Sequence, residues 1–230
     1  MIALSACAPG SNNTKASPTP TLMPRPTPTP LSIPTGTPLV TQTPTPVPSS
    51  LILTDFPLAA GTTWKYAAQI SFQDPKDYEK MDQWTGIVTD RVVERKAMAD
   101  GTIVFTLKET LEPTPPQDVW RQASTYDYTI KGDGIYKYNG RAKIFQYPLS
   151  NNLSWEWEPG FGYSTYVGSV GDYQTPYGKL GNCYSFTTPT NPDVTQDTFC
   201  RGIGFAAHHY EHHGTPQVED FELVSYEPGQ

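Results

Sequence analysis

Half of the prolines, 12 of 24, fall between Ala8 and Ser50, and all 28 aromatic residues lie beyond them. A proline-rich, ring-free stretch lacks both the backbone donors for regular structure and the apolar surface for a core. Folding is therefore confined to residues 51–230, long enough for one sizeable core. Residues 8–50 read as a disordered Thr/Pro-rich stalk. Runs such as Pro26-Thr27-Pro28-Thr29-Pro30 favour polyproline II, which at about 3.1 Å per residue would reach roughly 130 Å. The stretch is either a spacer that lifts the domain off a surface or a plain linker.

Ahead of the stalk stands Leu4-Ser5-Ala6-Cys7. An aliphatic residue and two small residues before a cysteine fit a lipobox, where small side chains admit the cut that leaves an acylated N-terminal cysteine. Residues 1–7 thus read as a truncated lipoprotein signal and Cys7 as the lipidation site. Several acyl chains on one cysteine meet the two-signal condition for stable anchoring, so a membrane becomes the first expected partner. The alternative is a stray cysteine in a leader. No other segment approaches the roughly 20 apolar residues of a spanning helix.

Residues 51–230 hold all 23 Asp and Glu against 14 Lys and Arg, a formal charge of −9. Such a balance excludes nucleic acid as a natural partner. With Cys7 acylated, Cys183 and Cys200 remain as a pair. If their flanks are antiparallel strands turning near Asn191-Pro192, the two cysteines fall opposite each other and within disulfide reach. Free thiols are the alternative, and metal ligation has the wrong spacing.

Period-two alternation marks most of the domain as strand. In Thr102 to Leu111, Ile103, Phe105, Leu107 and Leu111 share one face. Tyr126 to Ile130 and Ile135 to Tyr138 flank Gly132-Asp133-Gly134, a hairpin signal. A last hairpin should run from Ile203 to His213, turn at Gly214-Thr215-Pro216 and return along Val218 to Tyr226. The one helix-permissive stretch, Asp74 to Trp84, lacks an apolar face.

The chain also echoes itself. Phe56-Pro57-Leu58 with Trp64-Lys65-Tyr66 returns 91 residues later as Tyr147-Pro148-Leu149 with Trp155-Glu156-Trp157. Further on the offset is 79, matching Val104, Phe105 and Leu107 to Cys183, Tyr184 and Phe186, and Arg121 to Cys200. These matches predict related halves at 56–146 and 147–230, with Asn152 taking the turn position held by Gly61 and Asn chemistry reaching positive φ there.

Together, Phe56-Pro57-Leu58, Gly61, Trp64 to Tyr66, Gly178 to Cys183, Phe199 to Gly204 and Glu222 to Tyr226 resemble a widespread group of uncharacterised bacterial surface lipoproteins. The resemblance implies a surface location and brings no catalytic residues with it.

Four clusters could carry chemistry. All four histidines lie in His208-His209-Tyr210-Glu211-His212-His213. On a strand, His208, Tyr210 and His212 face one way and His209, Glu211 and His213 the other, and either face could begin a zinc site. The bland alternative is a solvated strand near its turn. Trp155, Trp157, Tyr136 and Tyr138 could stack sugars, or could fill the core. Glu156 and Glu158 share one face, as a glycosidase pair would, although any exposed strand produces such pairs. Asp133 lacks the further acidic ligands of a calcium loop. No Gly-x-Ser-x-Gly, P-loop or dinucleotide fingerprint occurs.

The expectation is an all-β, antiparallel domain, an open barrel or a sandwich of two related halves, held outside the cytoplasm. Its expected role is non-enzymatic binding or display, with a glycan, a protein or an apolar ligand as partner. The alternatives are a carrier holding a lipid or other apolar ligand in an open barrel, and a zinc-dependent hydrolase. Zinc at the histidines is the one cofactor the residues suggest.

Overall fold

The computed structural model of the chain describes residues 49–74, 76–214 and 216–230. Cys7 and residues 8–48 of the stalk lie outside the described residues. A short helix, α1 (Ser49–Asp55), precedes twelve strands. They are β1 (Thr63–Asp74), β2 (Asp77–Ala97), β3 (Ile103–Glu112), β4 (Ser124–Lys131), β5 (Gly134–Lys137), β6 (Ala142–Gln146), β7 (Ser154–Glu156), β8 (Ser164–Thr175), β9 (Gly178–Pro189), β10 (Val194–Cys200), β11 (Gly204–His212) and β12 (Gln217–Glu227). Among the described residues no helix is long and apolar enough to cross a membrane.

Every strand from β1 to β6, and every strand from β7 to β12, pairs antiparallel with its neighbour in sequence, and β1 also pairs with β12. The result is one antiparallel sheet curled into a nearly closed barrel with a single unsealed seam. That seam lies between β6 and β7. It is bridged by the Lys143 N–H donating to the Trp157 carbonyl at 2.6 Å and by the Trp155 indole donating to the Lys143 carbonyl at 2.8 Å. The open-barrel expectation holds.

Alternation sorts side chains between the two faces. On β1, Trp64, Tyr66, Ala68, Ile70 and Phe72 are buried, while Lys65, Ala67 and Gln69 are exposed. On β3, Ile103, Phe105, Leu107 and Leu111 are buried as the pattern predicts, and Glu109 is buried in the same row. Asp74 to Trp84 continues the β1–β2 hairpin rather than coiling, as its missing apolar face requires. Between β4 and β5 a two-residue turn joins Lys131 to Gly134, and Gly132 supplies its positive φ of 61°. The last hairpin forms as expected from β11 and β12.

Alternating inward side chains fill a small barrel, but a twelve-stranded ring is wider. Two segments make up the difference here. The chain from α1 to Leu58 enters the apolar end, with Ile52 and Leu58 fully buried. Its Phe56 ring lies 5.4 to 6.4 Å from those of Trp64, Tyr128, Phe145, Phe199 and Phe205. Those five rings come from β1, β4, β6, β10 and β11. In the loop from 113 to 123, Val119 is fully buried and the Arg121 side chain reaches into the other end. Beside Phe56, between Tyr66, Asp90, Tyr126 and Tyr128, a void of about 20 Å³ remains.

The turn geometry predicted from the echo occurs twice. Gly61 has φ 86° and its N–H donates to Val92 O, while Asn152 has φ 62° and its N–H donates to Val167 O. Val92 in turn donates to Thr62 O, as Val167 does to Leu153 O. Further along the halves differ: Val104 and Cys183 both lie on strands, but Arg121 lies in a loop where Cys200 lies on β10.

Cys183 and Cys200 are directly opposed on β9 and β10, their Cα atoms 4.1 Å apart, and are joined by a disulfide. Phe56→Ala should destabilise the domain by about 3–5 kcal/mol in urea unfolding followed by circular dichroism, because five rings lose a shared contact. The exposed Leu51→Ala should fall within about 0.5 kcal/mol. Replacing both Cys183 and Cys200 by Ala should cost about 3 kcal/mol and make unfolding insensitive to reductant.

Candidate functional site

The two faces of the sheet carry different chemistry. At the end closed by the 113–123 loop, the inner face is polar. The Arg121 guanidinium spans Glu109 Oε2 at 2.5 Å on β3 and Glu219 Oε2 at 3.0 Å on β12, and lies 4.6 Å over the Phe221 ring. Gln217 donates to Glu219 Oε1 at 2.7 Å, and accepts from the Trp120 N–H at 3.3 Å. Burial alone would push the Arg121 pKa down, but the flanking carboxylates, Glu109 foremost, hold it raised. Opposite Glu109 on β2 stands Asp90, whose Oδ1 is enclosed without a protein partner. Burial foremost, and then the Glu109 charge, push its carboxyl up to about 6, against the pull of Arg121. The two carboxylates on Arg121 lock the plug in place, while Asp90 Oδ1 and Arg121 Nε stay without a protein partner.

The histidines divide as the alternation predicts. His208, Tyr210 and His212 are on the inner face, opposite Phe221, Glu219 and Gln217 of β12. His209 and Glu211 face outward. Each imidazole is held by a different carboxylate: His208 by Asp197 at 2.7 Å, His209 by Asp220 at 2.7 Å, His212 by Asp193 at 2.8 Å and His213 by Glu211 at 3.2 Å. Among the described residues no three His, Cys, Asp or Glu side chains converge as a metal set would.

The aromatic candidates do not form one platform. Trp155 is 5% exposed, its ring packed 5.5 Å from Phe186, and it has no face left for a ligand. Trp157 and Tyr138 meet edge to face at 6.5 Å, while Tyr136 lies against Lys143. Glu156 is used by the Gly160 N–H at 2.8 Å, Glu158 lies 3.8 Å from Arg141, and Asp133 pairs with Lys143 at 3.3 Å.

A groove of about 650 Å³ lies on the outer face. Its floor comes from β2, β1, β12, β11 and β10. Its wall comes from the β8–β9 hairpin. Two register shifts in β8, around Gly171 with φ 77°, bend that hairpin until the Tyr177 N–H donates to Leu223 O on β12 at 3.0 Å. Tyr173 and Ser185 are thereby brought to the floor. The disulfide shares the outer face with Ser185 and Thr198, two residues along each strand, and staples the root of the wall.

Two outward rows line the floor. Gln196, His209, Asp220, Gln69 and Thr85 stand opposite one another in turn across five adjacent strands. Beside them run Thr198, Ala207, Glu222 and Ala67, whose two alanines leave the space. The Tyr173 hydroxyl has a raised pKa, from burial first and from the Glu222 charge second. His208 and His209 are the groove residues that the sequence singled out as candidate ligands. The others needed strand register, because parity places a residue on a face but not beside its neighbours.

No family model matches the chain, and no curated protein matches it significantly. Among solved structures it is similar to a protein of Bacteroides fragilis described as exported and YmcC-like in fold. That match has TM-score 0.44 and 11% identity, over 76% of this chain and 99% of that one. A protein of Parabacteroides distasonis described as a lipoprotein gives TM-score 0.41 and 11% identity, over 75% and 97%. MucB gives 0.29 and 7%, over 73% and 54%.

Arg121→Met should cost about 3–5 kcal/mol at neutral pH in denaturant unfolding, since Glu109 and Glu219 then lose their shared cation. Asp90 makes the opposite kind of contribution. Its folded pKa of about 6 exceeds the ordinary 3.8, so the folded state holds the proton more tightly. Stability from this group is greatest below pH 3.8, falls up to about pH 6 and is flat above that. The difference in unfolding free energy between wild type and Asp90→Asn should therefore change over that window and nowhere else.

Proposed function

We propose that this chain is a tethered extracytoplasmic binding protein, with its ligand seated in the groove between the sheet and the β8–β9 hairpin. Acyl chains on Cys7 hold it to a membrane, and the Thr/Pro-rich stalk ahead of α1, whose first residues Ser49 and Ser50 belong to the domain, spaces the domain from that surface. The observation that carries the reading is where the space lies. A recess of about 650 Å³ on the outer face falls in the usual range for small-ligand sites. A void of about 20 Å³ among the inward Phe56, Tyr66, Asp90 and Tyr128 has room for about one water. A carrier of an apolar ligand would need a cavity of the larger size on that inner face.

The lining mixes apolar and polar groups: amide, hydroxyl, imidazole and carboxylate side chains stand among Ala67, Ala68, Ala207 and the rings of Tyr173 and Phe221. Its polar groups would fix the orientation of a ligand with both polar edges and an apolar face. The disulfide supports the location, because such bonds persist in oxidising compartments. It also supports the role, since it rigidifies the wall of the groove and so lowers the ordering cost of binding.

Two measurements test this. Full-length protein expressed behind a complete lipoprotein signal should fractionate with membranes, and Cys7→Ala should release it to the soluble fraction. Native mass spectrometry of the released protein should show a copurified polar molecule that is lost in Ala207→Trp, whose indole fills the groove. Retention of that molecule by a folded Ala207→Trp variant would sink the groove as the binding site.

A further inference from the structure

We propose that the groove takes a short glycan carrying a free, positively charged amine, with Glu222 and Asp220 receiving the amine; this rests on the groove being the binding site. Three observations converge on that ligand.

The first is charge. Among the described residues the lining contains Asp220, Glu222, Asp197, His208 and His209 but no lysine or arginine. Asp197 is engaged by His208, and one oxygen of Asp220 by His209 Nδ1. Glu222 has no hydrogen bond or ion pair among the described residues, and is exposed on the groove side of β12. Its carboxylate is thus available, beside a partly engaged second one, on a wall with no competing cation. Anionic ligands are repelled there, and an ammonium group gains charge-assisted hydrogen bonds.

The second is the polar row. Gln196, His209, Asp220, Gln69 and Thr85 step across five neighbouring strands. At about 4.8 Å per strand they form a track roughly 19 Å long. Their donors and acceptors suit a chain of hydroxyl groups, which can act as either at every step. A compact ligand would leave most of the row unused.

The third is shape. Ala67 and Ala207 leave a shallow, apolar floor next to that row, and Tyr173 stands on the opposing wall. A pyranose ring presents an apolar face with polar edges. It could rest on the alanines or against the tyrosine while its edges meet the row.

The test uses full-length protein and isothermal titration with two probes, a glucosamine trimer and its fully N-acetylated counterpart. The amine trimer should bind and the N-acetylated trimer should not. Glu222→Gln should weaken binding about tenfold, the scale of one hydrogen bond to a charged group. Asp77→Asn, at the remote β1–β2 tip, should leave it unchanged. Raising salt should weaken the amine trimer as screening grows. Equal binding of both trimers, abolished by Ala207→Trp, would overturn the amine while leaving the groove intact. Binding by neither trimer would overturn the inference, and the groove itself would then be judged by the copurified molecule and its loss in Ala207→Trp.

Discussion

A ring of twelve strands cannot be filled by its own inward side chains, and this fold depends on what is put inside it. Phe56 is the centre of that filling. It enters from a short segment before β1 and touches rings from five strands drawn from both halves of the chain. Without a plug the same alternation would enclose a large apolar void, costly to leave empty. The second plug, the 113–123 loop, solves the problem differently at the other end, by inserting a cation between two carboxylates.

Filling the inside determines where function can be. The concave space lies on the opposite face, made by a hairpin that leaves the barrel and returns to β12. Two bulges bend it and a disulfide holds its root. The wall of the groove is therefore a rigid part of the fold. A ligand placed there would meet backbone-fixed rows of side chains, whose spacing is that of the sheet.

The polar end of the interior shows the limits of reading charge as function. Asp90, Glu109, Arg121, Gln217, Glu219 and His208 gather within one region, and an active site could be assembled from such residues. Here their groups are mostly spent on one another. Arg121 is shared by two carboxylates, and the imidazoles are each tied to separate acids. A buried network whose charges are mostly paired in this way holds a loop in register.

Much of the fold was legible in the residues. Alternation in β3, the Gly132-Asp133 turn, the opposed cysteines and the positive φ of Asn152 are all local properties, set by two-residue periodicity and by which side chains tolerate a left-handed backbone. The same logic separated the two faces of the histidine strand. It left Trp155 open between core and sugar platform, because that choice depends on Phe186 and on the seam with β6, and it missed Glu109 as a buried partner of a loop arginine. The groove was beyond it altogether. Gln69, Gln196 and Glu222 are far apart in the chain and become neighbours only through the register of β1, β12, β11 and β10. What the sequence by itself determined was the class of fold and the inward or outward sense of each side chain, because those follow from short-range sterics. Only the tertiary structure decided what fills the ring and which outward residues share a groove, because both depend on contacts between segments that the chain brings together from a distance.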